Sequence, residues 1–291
     1  MTSLSCAGKY LDLSMPCVMG ILNITPNSFS AVGRFQSVDQ AVNHAKQMVA
    51  DGAAIIDVGG EPTNPGVHPV VSLQEELERV IPVITALARE LSVPISIDTS
   101  KPEVMREAVL AGAGFINDVR ALREPGALEV ALQLGAAICI MHMSFPYGKD
   151  VAVAADPLGV FPIDSVSEFL QQRLEICESA GIPRSQIVID PGIGSGNFGK
   201  DLQQNLQLLA HLHKFRKLGV PILVGVSRKM FIGELLDLPA EERLYGSLAA
   251  AAIAVNNGAS IIRAHDVKAT VEAIKVAGAI SCAVNTYLPA Q

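Results

Sequence analysis

Polar residues recur at eight places where a short apolar run ends: Asn23, Asp57, Asp98, Asn117, His142, Asp190, the run Ser227-Arg228-Lys229 and the run Arg263-Ala264-His265. Two kinds of chemistry are represented. The carboxylates of Asp98 and Asp190 and the amide of Asn117 can accept and donate along the edge of a flat heterocycle bearing an amino group and a ring N–H, and Lys229 can donate to a ring carbonyl. Asn23, Arg263 and His265 suit an anionic group together with its magnesium ion. Taken one at a time, each residue also has a structural reading. Asp98 can cap a helix starting at Pro102, Asp57 can fix loop backbone, and Asn117-Asp118 can form an Asx turn; Arg228 can pair with an acid, and His142 can be a satisfied core histidine. Eight such positions at equivalent points of one pattern favour a shared site. No Ser-His or Cys-His pair suggests a covalent mechanism.

The pattern that carries them alternates apolar runs with longer segments of helical periodicity. Strands are expected at 17–22, 55–58, 95–97, 114–116, 137–141, 187–189, 222–224 and 260–262. Several are continuously apolar, as strands buried on both faces are. Helices are expected around 38–51, 73–90, 102–111, 125–134, 164–180, 201–218, 241–257 and 267–283, with starts such as Ser100-Lys101-Pro102-Glu103 and stops such as Ala111-Gly112 and Ala180-Gly181. Strict alternation predicts a parallel α/β sheet, and eight units favour a closed (β/α)8 (TIM) barrel over an open sheet. Polar residues just past the strand ends then meet at one mouth, and Asn23, from the first strand, becomes a neighbour of Arg263 and His265 from the last. Long connections at 23–37, 59–72 and 144–162 fall on that same face, where lids over a site are expected.

At 291 residues, with 49% hydrophobic and 18% charged residues and no linker-like tract, the chain reads as one globular domain spanning 1–291. A net charge of -7 gives no general attraction to nucleic acid or an anionic membrane, so any phosphate affinity must be local. The five cysteines form no C-x-x-C pair and read as free thiols, and neither a secretory signal nor a membrane span is evident, so a cytoplasmic location is expected.

The ordered motifs resemble those of dihydropteroate synthase over nearly the whole chain, from Val18 to about Val276. They are MGILNITPNSFS at 19–30, DVGGEPTNPG at 57–66, DTSKP at 98–102, IND at 116–118, MHM at 141–143, IDPG at 189–192, GVSRK at 225–229 and IIRAHD at 261–266. The resemblance implies a barrel enzyme of folate biosynthesis, usually a homodimer, that joins 4-aminobenzoate to 6-hydroxymethyl-7,8-dihydropterin diphosphate and releases diphosphate. Carried over by position, it implies that Asp98, Asn117, Asp190 and Lys229 bind the pterin. Arg263 lies against the pterin face and, with His265, Asn23 and Thr63, holds the diphosphate; Asn23 is also the protein ligand of Mg2+. Asp98, Lys229 and Arg263 are the residues expected to serve the chemistry.

The chain departs from the family pattern on one side of this site. Asn27, Ala31 and Val32 stand in the first loop where the family has two aspartates and a glycine, and Pro62 and Asn64 stand in the second where it has serine and arginine. Ser195 replaces a frequent aromatic, and Met230 a serine. Ala31, Asn64, Ser195 and Met230 together predict a reshaped 4-aminobenzoate pocket, with backbone N–H groups after Lys229 still able to hold a carboxylate. The alternative is a paralogue that binds pterin without coupling it to 4-aminobenzoate.

Overall fold

The computed structural model describes residues 3–24, 38–61, 71–143, 162–195 and 198–287. Its strands are β1 (Ser3–Cys6), β2 (Lys9–Asp12), β3 (Cys17–Asn23), β4 (Ala53–Gly59), β5 (Ile95–Asp98), β6 (Phe115–Asp118), β7 (Ala137–Met141), β8 (Ile187–Asp190), β9 (Leu223–Gly225) and β10 (Ile261–Ala264). Its helices are α1 (Val38–Ala50), α2 (Leu73–Glu90), α3 (Pro102–Leu110), α4 (Ala127–Leu134), α5 (Pro162–Ser179), α6 (Leu202–Ala210), α7 (Met230–Leu236), α8 (Leu244–Asn256) and α9 (Val267–Tyr287). The parallel strands run in the order β8-β7-β6-β5-β4-β3-β10-β9. The ring closes where Ile189 N donates to Pro221 O at 3.0 Å and Ile189 bridges Ile222. All eight expected strands are present, and the fold is the expected (β/α)8 barrel.

Alternation along the strands divides the apolar side chains into two populations. One set, including Val18, Leu22, Ile56, Val58, Ile116, Ile138, Ile140 and Ile262, points outward and packs against helix residues such as Ala45, Val80, Ile84 and Leu170. The other, Met19, Ile55, Phe115, Cys139, Val188, Leu223 and Ile261, fills the barrel interior together with Leu4, Cys6, Leu11 and Leu13.

Those last four residues lie in the antiparallel hairpin of β1 and β2 and the turn after it, an element the sequence reading did not anticipate. The hairpin seals the floor of the barrel. Gly114 permits this approach, since a Cβ there would lie 2.3 Å from Cys6 O. Two other boundaries also differ. The helix expected over 201–218 is α6 followed by a 3-10 turn over Leu212–Leu218, and the short α7 precedes α8. Cys6, Cys139 and Cys177 are buried free thiols, Cys17 is half-buried and Cys282 is exposed. No described helix is long and apolar enough to cross a membrane.

Candidate active site at the carboxyl ends of the strands

One step above the apolar floor the inward-facing residues become polar. Ile55 is succeeded by Asp57, Phe115 by Asn117, Val188 by Asp190 and Ile261 by Arg263, each two residues along its strand, while Ser96 and Asp98 occupy the corresponding levels of β5. Local sequence fixes the loops that follow. Asp190 Oδ1 accepts Gly192 N at 2.7 Å, and Asp118 accepts the N–H groups of Arg120 and Leu122 at 2.9 and 2.7 Å.

Arg263 organises the centre. Its Nε donates to Asp57 Oδ2 at 2.6 Å and its Nη2 to Asp98 Oδ2 at 2.7 Å. Asp57 also accepts Asn117 Nδ2 at 3.2 Å and the Ser96 hydroxyl. Strands β4, β5, β6 and β10 are thus joined through one guanidinium and two carboxylates. Burial pushes Asp98 up to about 7; Arg263 opposes the rise, and Asp57, Glu76 and Asp118 add to it. Asp190 is raised for the same reason, against the pull of Lys229.

Lys229, the N-cap residue of α7, donates to Ile193 O, and its ammonium lies 4.4 Å from the centre of the Phe198 ring. Burial lowers it to about 8, with Asp190 acting in the opposite direction. Gly225 faces both Lys229 and Arg263, since a Cβ there would lie 3.8 Å from Lys229 Nζ and 3.9 Å from Arg263 Cβ. The two cations therefore border the same space.

His265 stands at the rim, where Ser227 Oγ accepts its backbone N–H at 3.1 Å and lies 3.0 Å from its Nδ1. Although His265 is exposed at the rim, partial desolvation by the surrounding mouth and then the charge of Arg263 lower it to about 4, which favours the neutral imidazole at pH 7. Asn23 ends β3 beside Gly59: a Cβ at Gly59 would lie 3.4 Å from Asn23 Oδ1 and 3.7 Å from Asp98 Oδ2. A single amide oxygen at the rim matches how magnesium is usually held, by one or two protein oxygens with substrate phosphates and waters as the other ligands. No group of three or more His, Cys, Asp or Glu able to hold a metal occurs among the described residues.

The structure thus brings Asn23, Asp98, Asn117, Asp190, Lys229, Arg263 and His265 to one mouth; Thr63, Ala31 and Asn64 lie outside the described residues. Two strand-end residues keep their structural readings. Arg228 pairs with Asp266 through two bonds of 2.9 and 2.7 Å, and His142 is buried and neutral, lowered to about 2 by burial and then by Lys200 and Arg123. Asp57, counted among the strand ends but given no role in the site, is a direct carboxylate partner of Arg263. Phe198 was also missed. Its ring covers Lys229, so an aromatic stands on this side of the mouth three residues after Ser195. Met230 is 51% exposed at the start of α7.

The arrangement can hold a flat polar ring by its edges against Arg263 and an anion at the seam between the first and last barrel strands. Comparisons with known proteins agree with this geometry. The family model described as "Pterin binding enzyme" matches residues 19–265. Dihydropteroate synthase of Escherichia coli (strain K12) is 51% identical over 269 residues, 92% of this chain and 93% of that protein. The structure of Xanthomonas albilineans dihydropteroate synthase with 4-aminobenzoic acid superposes with a TM-score of 0.87 at 45% identity, covering 99% of both chains. The same enzyme in complex with 7,8-dihydropteroate gives 0.84 at 44%, covering 99% of this chain and 100% of that one. The chain belongs to the pterin binding enzyme family, among its dihydropteroate synthases.

Proposed function

We propose that this chain condenses 6-hydroxymethyl-7,8-dihydropterin diphosphate with 4-aminobenzoate to give 7,8-dihydropteroate and diphosphate, as one barrel unit working in the cytoplasm. The observation that supports the site assignment is the buried Asp57–Arg263–Asp98 bridge, which keeps a guanidinium among the strand-end carboxylates. In this reading Asp98, Asn117 and Asp190 bind the ring edge and Lys229 its carbonyl. Arg263, His265, Asn23 and Thr63 hold the diphosphate, and Asn23 contributes its oxygen to Mg2+. The ion, when bound, neutralises charge on the leaving diphosphate.

The C–O bond at the exocyclic carbon breaks with its electron pair leaving on diphosphate, and the positive charge spreads into the electron-rich ring. Asp98 faces that charge and stabilises it, while Arg263 and neutral His265 donate to the departing oxygens. The amine of 4-aminobenzoate, uncharged at pH 7, attacks with its lone pair to form the C–N bond and then loses a proton to solvent. Incubation with both substrates and Mg2+ tests the assignment. Dihydropteroate is expected, and none above background would overturn it.

The titrations give a pH signature. Asp98 acts as a carboxylate, so activity rises as pH passes upward through about 7, and Lys229 acts as an ammonium, so activity falls as pH passes through about 8. The expected kcat/KM profile for pterin diphosphate is a narrow bell. Lys229→Arg, which stays charged, should remove its alkaline arm; an unchanged arm would contradict the role given to Lys229.

Homodimer formation is supported by an apolar face left exposed among the described residues. Tyr245 (81% exposed) and Ile253 lie two turns apart on α8, and exposed Val276 and Ile280 lie on α9, which packs beside α8. Ile253→Glu is expected to yield a monomer in sedimentation; an unchanged dimer would place the interface elsewhere.

A further inference from the structure

Lys200 lies in the loop between β8 and α6, is 4% exposed, and makes no ion pair among the described residues. Burying an ammonium this way costs several kcal/mol unless its donors are used. Its Nζ lies 3.0 Å from His142 Nδ1 and 3.3 Å from Phe198 O, which it meets as a donor. Burial lowers Lys200 to about 7, against the pull of Asp190; in its charged form it has only protons to offer, and His142 then accepts through Nδ1 with its own proton on Nε2.

The two acceptors belong to different parts of the barrel. His142 follows β7, its N–H donates to Asp190 O at 2.9 Å, and its ring meets Phe169 of α5 edge-on at 5.0 Å. Phe198 belongs to the loop after β8, and its ring rests on Gly194 and over Lys229; a Cβ at Gly194 would come within 2.6 Å of Phe198 Cδ2. A Cβ at Gly192 would lie 1.8 Å from His142 O and 3.3 Å from Lys200 Nζ, so loop and strand end are in close contact around the ammonium. An apolar side chain of similar length would fill this space without the cost of burying charge. What it would not do is grip the Phe198 carbonyl and the His142 imidazole together.

We propose that Lys200 and His142 form a brace that holds the Phe198 ring against Lys229, and that this brace shapes the pocket of the arylamine substrate. Lys200 is a positioning residue and touches neither substrate. The proposal rests on the synthase reading above. Charges facing the brace are those of Asp190 and Lys229 on Lys200 and of Arg123 on His142, so the Lys200 charge also reaches the pterin side.

The test is steady-state kinetics of wild type, Lys200→Met, Phe198→Leu and the double variant, with thermal unfolding in parallel. Lys200→Met is expected to keep or raise Tm yet raise KM for 4-aminobenzoate about tenfold or more, with KM for pterin diphosphate moving less than about threefold. The double variant should be no worse than Phe198→Leu alone, because both changes disable one wall. Should Lys200→Met fail to fold, His142→Gln, whose shorter reach loosens the same bond, must show the same split in KM. A wild type that turns over while these variants keep both KM values, or an additive double variant, overturns the brace alone. A wild type without turnover overturns the synthase reading and the brace with it.

Discussion

Arg263→Ala should weaken binding of pterin diphosphate by about 100-fold or more while weakening the free pterin alcohol much less, and should destabilise the fold by about 3 kcal/mol. The structure supplies both parts of the expectation. The guanidinium is the direct partner of two buried carboxylates, Asp57 at 2.6 Å and Asp98 at 2.7 Å, so truncation leaves two negative charges facing each other with little solvent. Asp98, already raised to about 7 with Arg263 present, would take up a proton when that charge is gone. The anion seam would then lack the guanidinium that faces the leaving group. Arg263→Lys should recover part of the stability and little of the affinity, since one ammonium cannot span both carboxylates as a planar fork does. Calorimetry with the two ligands checks the claim; equal losses for both would contradict the anion assignment.

Asp98→Asn should lower kcat by about 100- to 1000-fold, and at pH 8 should leave Tm unchanged or higher. The sign follows from linkage. The folded pKa of Asp98 is about 7 against an ordinary value of 3.8, so between these values the folded state binds more protons than the unfolded one. Its contribution to stability therefore declines as pH rises from about 4 to 7, and above 7 the ionised carboxylate is a net burden on the fold. Asparagine resembles the neutral form that burial favours, and Arg263 keeps Asp57 as a partner. The wild type keeps a charged group where a neutral one would be more stable, which is what stabilising a developing positive charge requires. Unfolding curves of both proteins from pH 5 to 8 decide it: a variant less stable than wild type throughout would mean that the Arg263–Asp98 pair outweighs its desolvation.

The barrel was legible in sequence because its evidence is local and repeated. Each strand is a short apolar run, and several helices carry their own start signals, such as Pro102 opening α3 and the Asp201–Gln204 capping box of α6. The hairpin β1–β2 was not legible. Two four-residue strands around Ala7-Gly8 carry too little periodicity, and their role depends on the open floor of a barrel formed by residues far along the chain.

Within the site, sequence determined which residue types stand at the strand ends, because period two along a strand and equivalent positions in successive units place Asp98, Asn117, Asp190, Lys229, Arg263 and His265 at one mouth. It could not determine their partners. Arg263 meets Asp57 across 206 positions and Asp98 across 165, distances that only closure of the ring removes. For the same reason Asp57 had no role assigned, Ser195 looked like a lost aromatic although Phe198 covers Lys229, and Lys200 gave no signal at all. A lysine on a loop is ordinarily solvated; tertiary packing alone decided that this one is buried, with its amine held by an imidazole and a carbonyl.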